Sequence, residues 1–295
     1  MRKQSLFLLA FLYLFMPAFS QVNTTKAAED YEKKVKDPAA PYGNNKAAGK
    51  SYDIRGFKMY CEIYGEGEPL LIIHGNGGSI SNFVYQIPYF AKKYKVIIAD
   101  SRAHGKSLDW KDSLTYEMMA DDYAALLDQL KIDSANVIGW SDGGINALLL
   151  AIRHPNKVKK LAITGANLVP DTTAVPQEIW DMVLPQMEAL KKKPNLSAVE
   201  KNGLKLLRLL NEQPHIPLSD LHKINVPALV IGGDHDVIKI EHTLLIYNNL
   251  PKAYLWILPA SGHSTPIMFK DDFNTVVGRF FESPYHTITG EARFM

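Results

Sequence analysis

The sequence predicts an α/β fold built on a mostly parallel, doubly wound sheet. Short apolar runs end at Gly or polar residues, which is typical of strands buried on both faces of a parallel sheet. Helical patterns alternate with these runs, and that alternation indicates βαβ units. The apolar runs cover residues 70–73, 96–99, 136–139, 161–163, 228–231 and 254–258, and the helical patterns cover 116–130, 144–153, 241–249 and 269–281.

The predicted core covers residues 51–167 and 223–283, and a helical insertion at 168–222 interrupts it. This insertion has two helical patterns, at 176–192 and 198–211, and no strand pattern. Ligands of open α/β sheets bind outside the carboxyl ends of the strands, so an insertion that leaves there is expected to form a cap over the site. Packing against the sheet edge is the alternative. Residues 284–295 are predicted to form a C-terminal tail.

Residues 1–20 predict a secretory signal peptide. Two basic residues are followed by an apolar stretch over 5–19, and Ala18 and Ser20 are the small residues that a signal peptidase reads. The stretch has about 15 residues against the ~20 needed to span a bilayer. We therefore expect export to the periplasm or the medium, with no stable membrane anchor after cleavage. Residues 21–50, rich in Lys, Ala, Asn, Pro and Gly, are predicted to be a flexible leader with one short helical stretch at 29–36.

Charge and composition exclude several classes of partner. The 33 Lys and Arg residues nearly balance 31 Asp and Glu residues, and no long basic run appears, so nucleic acid is not an expected partner. The single cysteine, Cys61, cannot form an internal disulfide. The sequence has no Cys cluster, HExxH pattern or dinucleotide-binding glycine motif, so neither a metal nor a cofactor is predicted.

Residues 139–143 match the G-x-S-x-G pattern of a nucleophilic serine. The motif follows a predicted strand and opens a predicted helix, which is the context that makes it credible. Gly139 and Gly143 would let the sharp turn close, and Ser141 would project its Oγ into the site. The helix N-terminus that follows favours developing negative charge. Ser141 is therefore the predicted nucleophile.

The predicted base is His263, which lies just beyond the last predicted strand, where a loop can carry an imidazole over Ser141. The orienting carboxylate is expected in the segment 232–236, which follows the strand at 228–231. Both Asp234 and Asp236 are candidates, and Asp236 is preferred because Asp234 fits a turn. The chain order Ser, Asp, His is that of strand-turn-helix serine hydrolases.

An oxyanion hole is expected at residues 74–78, a Gly-rich loop that follows a predicted strand. Glycines let backbone N–H groups approach a substrate closely. The predicted donors are the backbone amides of Asn76 and Asp142. A simple tight turn is the alternative reading of this loop.

These motifs make residues 54–281 resemble the α/β-hydrolase superfamily. Residues 100–107 are similar to its D-x-R-G-x-G-x-S turn, with Ala103 where Gly is usual. The acid loop at 233–236 resembles the superfamily's, in which the second Asp belongs to the triad. Ser141 separates the chain from relatives that use an Asp or Cys nucleophile.

A narrower resemblance, to the valacyclovir hydrolase (biphenyl hydrolase-like) family, rests on residues 139–148 and 163–167. It implies that the carboxylate of Asp142 binds the α-amino group of amino-acid esters, as a carboxylate beside the acyl site can. The alternative is that Asp142 caps its own helix. Trp140 is a second candidate for contact with substrate.

The sequence therefore predicts a serine hydrolase that cleaves a small carboxylic ester, with an α-amino-acid ester as one candidate. Two alternatives stay open. The same triad could hydrolyse a carbon–carbon bond or carry out perhydrolysis. A non-catalytic binding module on a hydrolase scaffold is the other, although such a scaffold has no chemical reason to keep all three triad residues.

Overall fold

The computed structural model describes residues 21–294 and contains an eight-stranded sheet with the order β1-β2-β4-β3-β5-β6-β7-β8. The β1–β2 and β2–β4 pairs are antiparallel and all other pairs are parallel, which confirms the predicted mostly parallel sheet. The signal peptide prediction lies outside the described residues. The strands are β1 Gly49–Ile54, β2 Phe57–Tyr64, β3 Glu68–Ile73, β4 Tyr94–Ala99, β5 Ala135–Trp140, β6 Val158–Thr164, β7 Ala228–Gly233 and β8 Ala253–Leu258.

Helices cover both faces of the sheet. Alternate residues of β3 face opposite hydrophobic cores, with Leu71 and Ile73 on one side and Leu70 and Ile72 on the other. The α-helices of the described residues are α1 Gln21–Val35, α2 Gln86–Phe90, α3 Tyr116–Gln129, α4 Asp142–Arg153, α5 Gln177–Lys192, α6 Ala198–Glu212, α7 Leu218–Leu221, α8 Ile240–Asn249, α9 Thr265–Met268 and α10 Lys270–Glu282. Helices α3, α4 and α8 pack on the first core, and α2 and α10 pack on the second.

Helices α5 and α6 occupy the insertion between β6 and β7. Two polar side chains of α6 fasten it to the core: Asn202 donates to the carbonyl oxygen of Ala103 at 2.8 Å, and buried Lys205 donates to those of Asp109 and Lys111. An apolar cluster that includes Trp180 of α5 also contains Ile238 of the core. That the insertion acts as a cap stays a prediction.

The structure contradicts the flexible leader predicted for residues 21–50, although most of the helical stretch predicted at 29–36 lies in a longer helix. Helix α1 spans Gln21–Val35, and its Tyr31 is only 6% exposed. Further along, the backbone N–H groups of Gly43 and Asn45 donate to the carboxylate of Glu62 at 2.8 and 2.9 Å. Glu62 is fully buried on β2 and also accepts from Tyr60 and Tyr64. The leader composition misled because a single buried carboxylate, remote in sequence, binds this segment.

Glu62→Met is expected to lower the free energy of unfolding by about 3 kcal/mol or more, because each buried donor left without an acceptor costs about 1–3 kcal/mol. Urea denaturation measures this loss. The matched control is Glu68→Met, which removes an exposed ion pair with Lys159 and should cost within about 1 kcal/mol. Equal losses in the two variants would contradict the role of Glu62.

Candidate active site

Ser141 lies at the sharp turn between β5 and α4 with φ +58° and ψ −122°. A positive φ is rare for a residue other than glycine and marks stored backbone strain. Both flanking glycines are sterically required. A Cβ on Gly139 would collide with the backbone of Gly143, and a Cβ on Gly143 would collide with the carbonyl oxygen of Ile73. The turn can therefore close only with the residues that the motif supplies.

The structure brings together the three predicted triad side chains. His263 Nε2 lies 2.9 Å from Ser141 Oγ, and His263 Nδ1 lies 2.6 Å from Asp236 Oδ1. They reach this point because β5, β7 and β8 are parallel and end at the same edge of the sheet. Such a chain of hydrogen bonds can pass a proton from the serine to the imidazole while the carboxylate holds the ring.

Opposing effects act on the protonation of His263. Burial disfavours the imidazolium, but the charge of Asp236, its hydrogen bond and the charge of Asp142 outweigh burial, so the pKa of His263 is raised. The imidazole must be neutral to accept the serine proton. Hydrolysis is thus expected to fall as the pH drops through this raised pKa.

Of the two candidate carboxylates, only Asp236 contacts His263. Asp236 Oδ1 also accepts from the Ile238 N–H at 3.1 Å, which fixes the carboxylate. Asp234 instead accepts from the N–H groups of Ala260 and Ser261 at 3.0 and 2.9 Å. Asp234 thereby ties the acid loop to the loop that carries His263.

Two residues behind His263 hold its loop in place. Trp140, predicted as a substrate contact, is buried and donates its indole N–H to the carbonyl oxygen of His263 at 2.8 Å. Its N–H is therefore used within the protein. Gly165 has φ +63°, and a Cβ there would lie 2.7 Å from His263 Cε1. Gly165 directly follows β6 and lies within the motif 163–167, but the sequence reasoning assigned it no role.

The predicted oxyanion donors belong to residues that adjoin Gly75 and Ser141 in the sequence. Gly75 approaches the nucleophile so closely that a Cβ on it would lie 3.0 Å from Ser141 Cβ. Asp142 is the first residue of α4, where the N–H has no acceptor within the helix. In the turns and loops of residues 21–294, no backbone hydrogen bond uses the N–H of Asn76. Both amides are thus available to an oxyanion.

The side chain of Asn76, which the sequence reasoning did not use, connects three parts of the site. Its Nδ2 donates to Asp142 Oδ2 at 2.9 Å and to the carbonyl oxygen of Leu206 on α6 at 3.3 Å. The oxyanion loop, the start of α4 and the insertion are therefore joined through one amide. No local pattern could reveal this contact, since its partners are far apart in sequence.

The Asp142 side chain is buried, with the residue 2% exposed. Its hydrogen bond comes from Asn76, so the helix-cap alternative does not hold. Burial raises the pKa of Asp142 to about 6, against the lowering effects of Asn76, Tyr116 and His263. Within residues 21–294, no Lys or Arg forms an ion pair with this carboxylate. Asp142 is thus a buried charge without a cationic partner.

Among residues 21–294, no group of three or more His, Cys, Asp or Glu side chains could hold a metal ion. No helix in that range is long and apolar enough to span a bilayer.

Comparisons with known proteins agree with this architecture. Residues 68–194 match the family model described as alpha/beta hydrolase fold. The chain is 26% identical over 263 residues to "Serine hydrolase BPHL" of Homo sapiens, covering 83% of this chain and 90% of that protein. It is 26% identical over 260 residues to a 2-hydroxy-6-oxononadienedioate/2-hydroxy-6-oxononatrienedioate hydrolase of Comamonas testosteroni, covering 75% and 90%. The enol-lactonase structure from Burkholderia xenovorans LB400 superposes with a TM-score of 0.69 at 20% identity, over 79% of this chain and all of that one.

The fold, the serine turn and these relatives define a hydrolase enzyme. The chain has the α/β-hydrolase fold, and residues 68–194 match the model of that family. Ala103, which stands where the α/β-hydrolase superfamily usually has Gly, adopts φ +65°, a conformation that favours glycine. Ala in place of Gly at this position therefore strains the local backbone and leaves the site intact.

Gly165→Ala is expected to lower kcat/KM about 10²-fold, because a displacement of about 1 Å at a catalytic group can cost that much. The new Cβ would press on His263, which must then move from Ser141. Ester hydrolysis with parallel thermal melting measures the effect. Gly203→Ala is the matched control, since nothing lies within 4 Å of its Cβ. Unchanged activity in Gly165→Ala would show that the ring position tolerates the contact.

Proposed function

We propose that this hydrolase cleaves small carboxylic esters through a Ser141–His263–Asp236 triad and an acyl-enzyme. The observation that carries the proposal is the hydrogen-bonded chain of Ser141, His263 and Asp236. It supports nucleophilic acyl transfer and needs no cofactor. The name of the human relative, a serine hydrolase, agrees with it.

In the proposed mechanism, Ser141 Oγ attacks the ester carbonyl while His263 Nε2 takes its proton. The oxyanion accepts hydrogen bonds from the N–H groups of Asn76 and Asp142, each of which contributes about 2.7–4 kcal/mol to transition-state stabilisation. His263 then protonates the departing alcohol. Water, activated by the same imidazole, hydrolyses the acyl-enzyme and restores Ser141. Asp236 holds the ring and stabilises the imidazolium throughout.

An α-amino-acid ester is the substrate class that best suits Asp142. A buried carboxylate without a cation is unfavourable, and an ammonium group would supply the missing partner. The carboxylate belongs to the residue after Ser141, so an amine bound there would lie close to the reacting carbonyl. The resemblance around residues 139–148 to the valacyclovir hydrolase family supports the same assignment.

Carbon–carbon bond hydrolysis is the second candidate, because the Comamonas relative is named for a keto dienedioate, which contains no ester. A dianionic substrate fits this chain less well. Arg102 is engaged by Asp109 and Asp122 in a buried network, and Asp142 adds negative charge beside Ser141.

We propose, further, that the chain is exported, because the apolar stretch at 5–19 is typical of a secretory signal peptide.

Ser141→Ala is expected to lower kcat roughly 10⁴-fold or more, and Asp236→Asn roughly 10³–10⁴-fold, with little change in thermal stability. The substrate is p-nitrophenyl butyrate, and a fluorophosphonate probe reports the activated serine independently. Asp272→Asn, which changes an exposed carboxylate, is the control. Probe labelling that survives in Ser141→Ala would remove the proposed nucleophile, and an unlabelled wild type would favour a binding module.

The ratio of kcat/KM for phenylalanine benzyl ester to that for p-nitrophenyl butyrate is expected to fall between pH 7 and pH 5. Asp142 has a raised pKa of about 6, so it is ionised at pH 7 and protonated at pH 5, where it no longer attracts an ammonium. Both esters need neutral His263, so its titration cancels in the ratio. The substrate amine, with a pKa of about 7.7, is mainly charged at pH 7 and fully charged at pH 5, so its own titration would raise the ratio rather than lower it.

Asp142→Asn preserves the shape of the side chain and is the matched variant for that measurement. It should lower the ratio at pH 7 and make it independent of pH. A wild-type ratio that does not change with pH, or a variant that keeps the preference, would leave Asp142 without a role in binding an amine.

A further inference from the structure

The loop over residues 75–79, which carries the Asn76 amide, is fixed at its far end by Asn82. The Ser79 N–H donates to Asn82 Oδ1 at 2.6 Å. A Cβ on Gly78 would lie 2.6 Å from the same oxygen, so this oxygen lies directly against the loop. The side-chain carbonyl oxygen of Asn82 therefore fixes the end of this loop, which we call the oxyanion loop.

Tyr31 determines the orientation of that amide. Asn82 Nδ2 donates to the Tyr31 hydroxyl oxygen at 2.9 Å, and both residues are 6% exposed. The two ends of an Asn amide need opposite partners, an acceptor for the nitrogen and a donor for the oxygen. Without the hydroxyl, the buried Nδ2 would lose this acceptor. Rotation of the amide would then place its NH₂ group against the Ser79 N–H.

Tyr31 is itself well held. Helix α1 packs against α9, which begins two residues after His263, and the Tyr31 ring packs on Tyr85 with centroids 6.2 Å apart. Burial raises the pKa of Tyr31 to about 12, so the hydroxyl is neutral at physiological pH. Downstream, the bonds from Gly43 and Asn45 to Glu62 fasten the rest of the N-terminal segment, residues 21–48, to the sheet.

We propose that Tyr31 is a positioning residue for the oxyanion loop and acts through Asn82. The N-terminal segment, which precedes the hydrolase core, then belongs to the catalytic unit. The inference rests on the proposed ester hydrolysis, since it assigns Tyr31 to the transition state of that reaction. A residue that positions an oxyanion donor affects the transition state more than the bound substrate.

Tyr31→Phe tests this with p-nitrophenyl butyrate. The expected result is a kcat lowered about tenfold, short of the roughly 10²–10³-fold that follows loss of a whole oxyanion donor. KM should stay within about twofold, because substrate binding does not use the charge that develops on the oxyanion. The affinity for a boronic acid, which forms a tetrahedral adduct with the serine, should weaken by the same factor as kcat/KM.

A double-mutant cycle with Asn82→Ala separates positioning from general packing. If Tyr31 acts through Asn82, Tyr31→Phe lowers kcat in the wild type and has no further effect in Asn82→Ala. Tyr254→Phe is the matched control, because its hydroxyl bonds to His286 in the C-terminal tail; it should leave kcat unchanged. Thermal melting accompanies each variant.

Three outcomes would overturn the inference. The first is an unchanged kcat in Tyr31→Phe. The second is that Tyr31→Phe lowers kcat in the Asn82→Ala background by as much as in the wild type. The third is that Tyr254→Phe lowers kcat by as much as Tyr31→Phe. A wild type that cleaves neither test ester and takes no fluorophosphonate label would instead refute the proposed function, and the role of Tyr31 with it.

Discussion

The site depends on the strained turn that holds Ser141 between β5 and α4. A non-glycine residue at φ +58° costs about 1–3 kcal/mol and persists only where its surroundings fix it. Here the Ser141 N–H donates to the carbonyl oxygen of Thr164 at 2.8 Å, and the Ser141 carbonyl accepts from Gly144 at 2.7 Å. The end of β3 presses on the turn from the other side, so closely that Gly143 can carry no side chain. Every other group of the site is arranged around this fixed Oγ.

Much of this arrangement could be predicted because it follows from local patterns. Strands that are buried on both faces must be mostly apolar, so β3 to β7 are visible as runs. The half-buried edge strand β8 is visible because its residues are apolar, whereas β1 at Gly49–Ile54 is half exposed and gave no clear pattern. The positions of Ser141, Asp236 and His263 follow from the shared edge at which parallel strands end. Asp236 could be chosen over Asp234 because Asp234 fits a turn, and the hydrogen bond from Asp236 to His263 agrees with that choice.

The rest of the structure could not be predicted, because it depends on hydrogen-bonded residue pairs that lie far apart in the sequence. Tyr31 meets Asn82 across 51 residues, and Asn76 meets Asp142 across 66. A Lys- and Asn-rich segment such as 21–48 looks like a leader because its few apolar residues give it no face of its own. Its order comes from single polar contacts, above all with Glu62. Glu62 is buried on β2, and nothing in the sequence of that strand indicates that its charged residue is buried.

The electrostatics of the site couple substrate binding to the base. Asp236 and Asp142 both raise the pKa of His263, although only Asp236 touches the ring. In the empty site this favours the imidazolium, which cannot accept the serine proton. An ammonium bound to Asp142 would offset that carboxylate's field and lower the pKa of His263 towards its ordinary value. The Asp236 contact would remain to stabilise the imidazolium as Ser141 attacks. A cationic ester would thus increase the fraction of His263 that is neutral and able to accept the serine proton, which a neutral ester of the same shape could not do.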